Sequence, residues 1–274
     1  SMKNLQRAPW LIFLLGLTSC DSVDNVATTT DLSHADNSWY QNAVTLLQQR
    51  NNAWQNISST AGGAKNIILF VGDGMSFGTV TAARILEGQQ QGMPGEENSL
   101  SFGNFPFTGL AKTYNVDSQV ADSAGAMTAI ITGVKTDKGL ISVDENTNRG
   151  DCSSATGNDL MTALELAEIA GLATGVVSTA RVTHATPAAT YAKSADRDWE
   201  DNSDMPAQAI EQGCEDIASQ LVNFASNLDA RFEGLDTNGI EVMMGGGRRH
   251  FLPAQAAANS HDASSAIEGD RTDG

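Results

Sequence analysis

The stretch QVADSAGAMTAIITG, residues 119–133, sets an aspartate and a serine directly ahead of a run of small and apolar residues. That run predicts a buried helix, with Asp122 and Ser123 at its N-terminus. A serine in this position is ordinarily a helix cap. The same position also suits a nucleophile, because the positive end of a helix stabilises anionic oxygens. The pair alone leaves both interpretations open.

Further polar groups come directly after segments that resemble buried strands. Asp73 follows the apolar run NIILFV, residues 66–71, inside a GDG turn. A second segment, ATGVVSTA at residues 173–180, is followed by His184, Thr186 and Arg197. The carboxyl ends of parallel strands meet at one edge of a sheet. We therefore expect these groups to lie beside the aspartate-serine pair.

Each residue also has an ordinary interpretation when it is taken alone. Asp73 could simply form a turn, His184 could be a structural histidine, and Arg197 could pair with a surface carboxylate. Their joint occurrence on one predicted sheet edge favours the functional interpretation. We expect only structural roles for His250 and His261.

Strand-like segments alternate with helical ones along most of the chain. The strands are predicted at 66–71, 108–116, 173–180 and 239–247. Helices are predicted between them at 79–90, 119–133, 157–171 (with Asn158 as N-cap) and 205–224, and an amphipathic helix at 39–54 precedes the first strand. This order predicts an α/β fold with a mainly parallel sheet covered on both faces. The polar tail from 254 to 274 is predicted to be unstructured.

Composition excludes several function classes. The chain has 33 acidic and 16 basic residues, a formal net charge of -17, and no basic run, so it should repel nucleic acid and anionic membranes. The absence of a G-x-S-x-G elbow disfavours a Ser-His-Asp hydrolase. The absence of G-x-x-x-x-G-K-[ST] excludes a P-loop protein.

The first residues predict export. Lys3 and Arg7 precede a short apolar stretch that ends in LTSC, which looks like a bacterial lipobox with Cys20 as the lipidated residue. A plain secretory signal is the alternative. We expect a signal segment at 1–20, a polar tether at 21–38 and a catalytic domain at 39–274, in a periplasmic or membrane-anchored lipoprotein. The two later cysteines, Cys152 and Cys214, are then expected to form a disulfide; two buried thiols are the alternative.

Four motifs carry a family resemblance: NIILFVGDGM, VADSAGAMTAIITGVKT, GVVSTARVTHATPAATYAKSADRDW and EVMMGGGRRHF. In this order and spacing, from Asn66 to Pro253, the chain resembles the alkaline phosphatase family. The resemblance implies a three-layer α/β/α sandwich around a mainly parallel central sheet. It also implies hydrolysis of small phosphate monoesters through a phosphoserine, with two zinc ions and one magnesium ion as cofactors.

The resemblance assigns a role to each matching residue. Asp73 corresponds to the carboxylate that bridges a zinc and the magnesium, and Thr186 corresponds to a magnesium ligand. Ser123 corresponds to the zinc-bound nucleophile, whose hydroxyl is activated by the metal. Arg197 corresponds to the arginine that binds two phosphate oxygens, and Asp122 corresponds to the residue that orients it.

Two further matches separate branches of the family. His184 stands near the magnesium position, where enterobacterial members have an aspartate, and histidine is the pattern of animal and some marine bacterial members. Cys152 and Cys214 correspond to a disulfide of the animal enzymes. The resemblance also suggests a homodimer, with the helix at 39–54 as a candidate contact.

Other expectations concern what the chain lacks. The family pattern requires further metal ligands, and these are expected beyond Gly274, so the chain is expected to be the N-terminal part of a longer protein. A phosphodiesterase or sulfatase of the same superfamily is one alternative, although no C-x-P-S-R sulfatase motif is present. A non-catalytic exported binding protein that retains half of the site is another.

Overall fold

A computed structural model describes residues 38–59, 64–258, 261 and 264–273. The predicted signal segment, with Cys20, and nearly all of the predicted tether lie outside these residues. The chain divides into two compact units. One contains the described residues up to Ile68 together with Ser99–Thr108, and the other contains Leu69–Asn98 and the described residues from Gly109 onward.

The first unit is built on the predicted amphipathic helix, α1, which spans Ser38–Ser59. Arg50 of α1 donates hydrogen bonds to the carbonyl oxygens of Gly103 (2.7 Å) and Phe105 (3.3 Å). The Trp54 ring meets the Phe107 ring edge-on, with centroids 5.1 Å apart. These contacts hold the helix to a segment that includes a short 3-10 helix at Ser101–Asn104. None of the helices among the described residues combines the length and apolar character needed to cross a membrane.

The second unit contains the remaining elements. Its helices and strands are α2 (Phe77–Gln90), α3 (Ser123–Thr132), α4 (Cys152–Ala155), α5 (Ala163–Ile169), β1 (Gly175–Arg181), α6 (Ala185–Ala188), α7 (Ala207–Glu211), α8 (Ile217–Val222), α9 (Phe224–Ala230) and β2 (Val242–Gly246). A second 3-10 helix, Arg248–Phe251, follows β2.

The two strands form a parallel sheet in which Gly175 pairs with Val242 and Val177 pairs with Met244. Four helices, α6 to α9, connect them, as a parallel pair requires a long crossover. The predicted α/β class and its parallel pairing are therefore confirmed. The main core lies among α3, α5, α6, α8 and α9, where buried side chains include Met127, Leu164 and Ile217.

Two predicted strands do not form. Residues 66–71 and 108–116 carry no strand assignment, and the Phe70 side chain is 87% exposed. A strand exists only where a neighbouring chain completes its hydrogen-bond ladder, and neither segment has a ladder partner among the described residues. The apolar pattern of both segments predicts burial, but it does not supply the neighbour.

Other boundaries differ from the prediction for local reasons. The helix predicted at 157–171 has Thr162 as its N-cap instead of Asn158, because Thr162 and Glu165 form a reciprocal capping box. The helix predicted at 205–224 is interrupted after α7, where Gly213 adopts a left-handed conformation with φ of 83°. The tail is not unstructured throughout, since Pro253 pairs with Arg271 in a β-bridge.

Candidate active site

Helix α3 begins as predicted, but the cap is the aspartate and not the serine. The Asp122 carboxylate accepts a hydrogen bond from the backbone N–H of Gly125 at 3.0 Å, which is the N-cap geometry. The helix ends at Gly133, in the left-handed conformation. Because Asp122 satisfies the helix N-terminus, the Ser123 hydroxyl is available for another role. The capping interpretation of Ser123 is therefore wrong.

The Ser123 hydroxyl is directed at Asp73. Its Oγ lies 3.0 Å from Oδ1 and 2.9 Å from Oδ2 of that carboxylate. The Thr186 hydroxyl, at the start of α6, donates to the same Oδ2 at 2.8 Å. Asp73 sits in a turn next to Gly74, whose φ of 66° suits glycine. Three residues that are 50 and 113 positions apart along the chain thus meet at one carboxylate.

Asp122 also holds the arginine. Its Oδ2 accepts from Arg197 Nη1 at 3.1 Å and from the backbone N–H of Gly139 at 3.1 Å. Its Oδ1 accepts from Asn115 Nδ2 at 2.9 Å, in addition to the cap bond from Gly125. The four donors saturate the carboxylate, and the charge-assisted bond to Arg197 is of the stronger kind. Asp122 is therefore a fixed platform for the guanidinium.

His184 completes the group from the N-cap position of α6, three residues after β1 ends. Its Nε2 lies 3.1 Å from Arg197 Nη2, so it accepts a hydrogen bond and the remaining proton is on Nδ1. Burial, followed by the charges of Arg197 and Arg181, lowers the pKa of His184 below its ordinary value. The imidazole is therefore neutral, and its 4.0 Å separation from Asp73 is not an ion pair.

The two aspartates are ionised. Burial favours the protonated form of Asp73, but hydrogen bonds from Thr186 and Ser123 together hold its pKa below the ordinary range. Burial likewise opposes ionisation of Asp122, and the bonds from Gly125 and its other donors outweigh it, so its pKa is also lowered. Two carboxylates with different partners therefore carry negative charge around the serine.

The residues around Asp73 fit part of a metal centre. The Asp73 carboxylate and the hydroxyls of Ser123 and Thr186 are hard oxygen donors, which magnesium and zinc both accept. The Nδ1 atom of His184, which carries the proton, is buried and has no hydrogen-bond partner among the described residues; an acceptor such as a metal-bound water would satisfy it.

A second cluster combines metal-ligating residue types, but its histidine is already bonded to two carboxylates. Asp201, His250 and Asp270 bring ligand atoms within 4.8 Å of one another. His250 uses both ring nitrogens on carboxylates, with Nδ1 2.6 Å from Asp201 and Nε2 3.1 Å from Glu200. Burial opposes its charge, yet these bonds raise the pKa of His250. Both ring nitrogens of His250 lie on carboxylates, which supports the structural role expected for it.

Cys152 and Cys214 form the predicted disulfide, with their Cα atoms 5.9 Å apart. The bonded pair packs with a small apolar cluster that contains Ala195 and Trp199. These two residues lie on either side of Arg197 in the sequence. The disulfide therefore supports the loop that carries the arginine, in addition to closing a 62-residue separation.

Comparison with known proteins decides the family. A family model described as alkaline phosphatase matches residues 64–274. The chain belongs to the alkaline phosphatase family. It is 45% identical to the human tissue-nonspecific alkaline phosphatase isozyme over 211 residues, and 46% identical to an alkaline phosphatase of Gadus morhua over 211 residues. Both matches cover 77% of this chain.

The matched chain spans only part of these alkaline phosphatases. It corresponds to 38% of the length of the human protein and 42% of the length of the Gadus morhua protein. Among solved structures, a cold-active alkaline phosphatase from the psychrophile Shewanella sp. is similar, at 30% identity and a TM-score of 0.47. That match covers 67% of this chain and 36% of the other.

The structure brings together Asp73, Asp122, Ser123, His184, Thr186 and Arg197, all of which the sequence singled out. Sequence reasoning missed Asn115 and Gly139, which fix Asp122 and Arg197. A signal existed for both. Asn115 lies at the end of a segment with strand alternation, and Gly139 lies in a polar turn that follows α3. Neither residue type is distinctive enough alone to predict its partner.

Proposed function

We propose that the protein containing this chain hydrolyses phosphate monoesters and that Ser123 carries the phosphoryl group between two displacements. One observation supports this most directly: Asp122 caps α3 and binds Arg197, which leaves the Ser123 hydroxyl at the helix N-terminus to meet Asp73. A serine held in that way has the position of a nucleophile for an anionic phosphorus centre.

The chain's own residues perform the binding and orienting steps. The Arg197 guanidinium, held by Asp122 and His184, binds two oxygens of the phosphate group in a fork that lysine cannot reproduce. The Ser123 Oγ gives up its proton to solvent and forms a bond to phosphorus while the bond from phosphorus to the ester oxygen breaks, and that oxygen takes a proton from solvent and leaves as the alcohol. Water then displaces Ser123 Oγ and releases inorganic phosphate, which restores the free hydroxyl. The amide dipoles of α3 stabilise the charge on the serine oxygen.

We propose that two zinc ions and one magnesium ion belong to this site. Asp73, Ser123 and Thr186 would hold metal, and His184 would lie behind them. Bound there, such ions would lower the pKa of the serine hydroxyl and neutralise charge on the entering and leaving oxygens. Asp73 cannot replace the metal by acting as a strong base toward the Ser123 hydroxyl, because the pKa of Asp73 is lowered.

The cellular setting is proposed from the sequence. The signal-like start and Cys20 support an exported protein, periplasmic or held at a membrane by a lipid on that cysteine, and the disulfide agrees with an oxidising compartment. A homodimer is supported by α1, where the Leu47 side chain is 71% exposed. The charge of -17 supports the proposal that nucleic acid is not a partner.

The test compares the hydrolysis of three p-nitrophenyl esters, a phosphate monoester, a phosphate diester and a sulfate, by the protein in its natural full length. p-Nitrophenyl phosphate should be hydrolysed with added zinc and magnesium, and removal of metal by a chelator should abolish turnover. The corresponding diester and sulfate should be poor substrates. Preference for the diester or the sulfate would instead support the alternative hydrolases of the superfamily. Absence of any turnover, with phosphate still bound, would support a non-catalytic binding protein.

A further inference from the structure

A second arginine stands behind the proposed phosphate-binding one. Arg149 lies in the loop before α4, three residues from the disulfide. Its Nε and Nη2 atoms grip both oxygens of Asp196, at 3.2 and 3.0 Å. The same Nη2 also donates to Asp198 at 2.9 Å. Asp196 and Asp198 flank Arg197, so one guanidinium holds the residues on both sides of it.

Arg149 also lies against the backbone that fixes Arg197. The carbonyl oxygen of Gly139 accepts the Arg197 backbone N–H at 2.8 Å, while the Gly139 N–H donates to Asp122. A Cβ on Gly139 would overlap the side chain of Arg149, so the absence of a side chain lets the guanidinium lie against this peptide. Gly139 has a φ of 86°, which also favours glycine. Arg149 therefore touches both the loop and the peptide that determine where Arg197 sits.

The bond from Arg149 to Asp198 also affects which negative charge lies next to Arg197. Asp198 Oδ1 lies 3.9 Å from Arg197 Nε, and the Asp198 side chain is 74% exposed. Released from Arg149, this carboxylate could turn to Arg197 and compete with an anionic ligand for its guanidinium. While Arg149 holds Oδ2 of Asp198, the other carboxylate oxygen stays 3.9 Å from Arg197 Nε, too long for a hydrogen bond. Arg149 makes three hydrogen bonds to carboxylates, two of them to the same aspartate. This geometry distinguishes it from isolated surface ion pairs, which contribute little to stability.

We propose that Arg149 is a positioning residue for phosphate recognition: it fixes the backbone around Arg197 and holds Asp198 so that its carboxylate does not hydrogen-bond to the Arg197 guanidinium. This rests on the proposed function, in which Arg197 binds the phosphate group. Arg149 itself contacts no substrate in this proposal. Its effect passes entirely through Arg197, which makes the proposal testable by a double-variant cycle.

The experiment uses the natural full-length protein with zinc and magnesium, and compares Arg149→Gln, Arg197→Ala and the double variant. Two quantities are measured: kcat/KM for p-nitrophenyl phosphate, and the affinity for inorganic phosphate. Misplacing a binding group by a fraction of an ångström has large kinetic consequences. Arg149→Gln should lower kcat/KM and weaken phosphate binding by about tenfold. On the Arg197→Ala background the same change should have no effect, within about twofold.

Two further variants separate positioning from charge and from folding. Arg149→Lys keeps the charge but cannot grip both oxygens of Asp196 and reach Asp198, so it should recover only a small part of the loss. Arg248→Gln is the matched control, because it removes an exposed arginine paired with Glu268 at 2.6 Å, and it should leave both quantities unchanged. Thermal unfolding of each variant identifies any that simply fail to fold.

Several outcomes would overturn the proposal. An undiminished effect of Arg149→Gln on the Arg197→Ala background would show that Arg149 acts independently of Arg197. Full recovery by Arg149→Lys would assign the effect to charge alone. Failure of the proposed function can be told apart from these outcomes, because the parent protein itself would then lack turnover. The double-variant comparison of phosphate affinity would still decide the role of Arg149.

Discussion

The two halves of the candidate site are built differently. In the arginine half, the Asp122 side chain is only 10% exposed and is saturated by donors from four residues. In the metal half, the Asp73 side chain is 43% exposed, and within the described part of the chain it is bonded only by two hydroxyls, beside a histidine nitrogen without a partner there. In the first half the Asp122 carboxylate is fully bonded, and the one atom left without a hydrogen-bond partner among the described residues is the buried Oδ1 of Asn115. The second is a set of donors whose bonding capacity is only partly used.

The difference follows from what surrounds each carboxylate. Asp122 caps a helix that is packed into the core, and its other partners are a buried asparagine and a glycine peptide. Asp73 follows a segment whose apolar side chains are exposed, including Leu69 and Phe70. Rigid positioning comes from packed elements, so Arg197 is placed by the fold itself, whereas Asp73 and its hydroxyls need a ligand to complete them.

The largest expected effect concerns the point where the two halves meet. Ser123→Ala removes the proposed nucleophile, which should lower p-nitrophenyl phosphate turnover at least about 1,000-fold, because loss of a nucleophile disables the whole covalent pathway. Ser153→Ala is the matched control, since Ser153 also lies in the first turn of a helix and bonds its N-cap, Asp151. Equal losses in the two variants would contradict the assignment.

Removal of the disulfide should weaken the arginine half selectively. Replacing Cys152 and Cys214 together by serine should lower the free energy of unfolding by about 2–4 kcal/mol, because the crosslink restricts the unfolded chain. Phosphate affinity should fall as well, since the disulfide cluster includes Ala195 and Trp199 beside Arg197. Urea unfolding and phosphate titration measure the two effects. An unchanged phosphate affinity would separate the disulfide from Arg197.

Neutralising each aspartate tests the comparison itself. Asp122→Asn should lower stability by about 1–3 kcal/mol, because an amide cannot accept from all four donors in a half-buried site. Asp73→Asn should change metal-free stability by less than about 1 kcal/mol and instead weaken metal binding. Chemical denaturation without metal, paired with metal titration, gives both values. Similar losses of metal-free stability would contradict the distinction.

The acid side of the stability profile should show the same contrast. The pKa of Asp122 is lowered on folding, so its stabilising contribution is present above the ordinary value of 3.8 and is lost as the pH falls through the lowered folded value. Asp122→Asn should therefore flatten the dependence of unfolding on pH in that range. If the stability of Asp122→Asn fell with acid as steeply as that of the parent, protonation of Asp122 would not be a cause of the parent's acid sensitivity.

The smallest effect is expected at His250, which joins the 3-10 helix after β2 to the loop beyond Arg197. Its pKa is raised on folding, so its contribution is complete below the ordinary value of 6.5 and is lost as the pH rises through the raised folded value. The parent should lose melting temperature on the alkaline side. His250→Gln should be less stable at pH 6 and vary less from pH 6 to 10. Identical profiles would contradict a charged His250.

The sequence predicted the residues of the site better than it predicted the residues and strands that hold them in place. The capped start of α3, the positions of Asp73 and Thr186, and the disulfide all follow from local signals or from ordered motifs. Residues 66–71 and 108–116 show why patterns fail: alternation and apolarity describe the faces of a strand, but pairing is a property of two segments. Asn115, Gly139 and Arg149 were missed because each acts through contacts 7 to 58 positions away that no local pattern encodes.

The most direct test asks whether Ser123 becomes phosphorylated. The natural full-length protein, with zinc and magnesium, is mixed with p-nitrophenyl phosphate, quenched in acid within milliseconds and digested for phosphopeptide mapping. A single phosphoryl group on Ser123, absent from Ser123→Ala, is the predicted result. Sustained turnover by Ser123→Ala, with no phosphoryl group on Ser123 in the parent, would contradict the account.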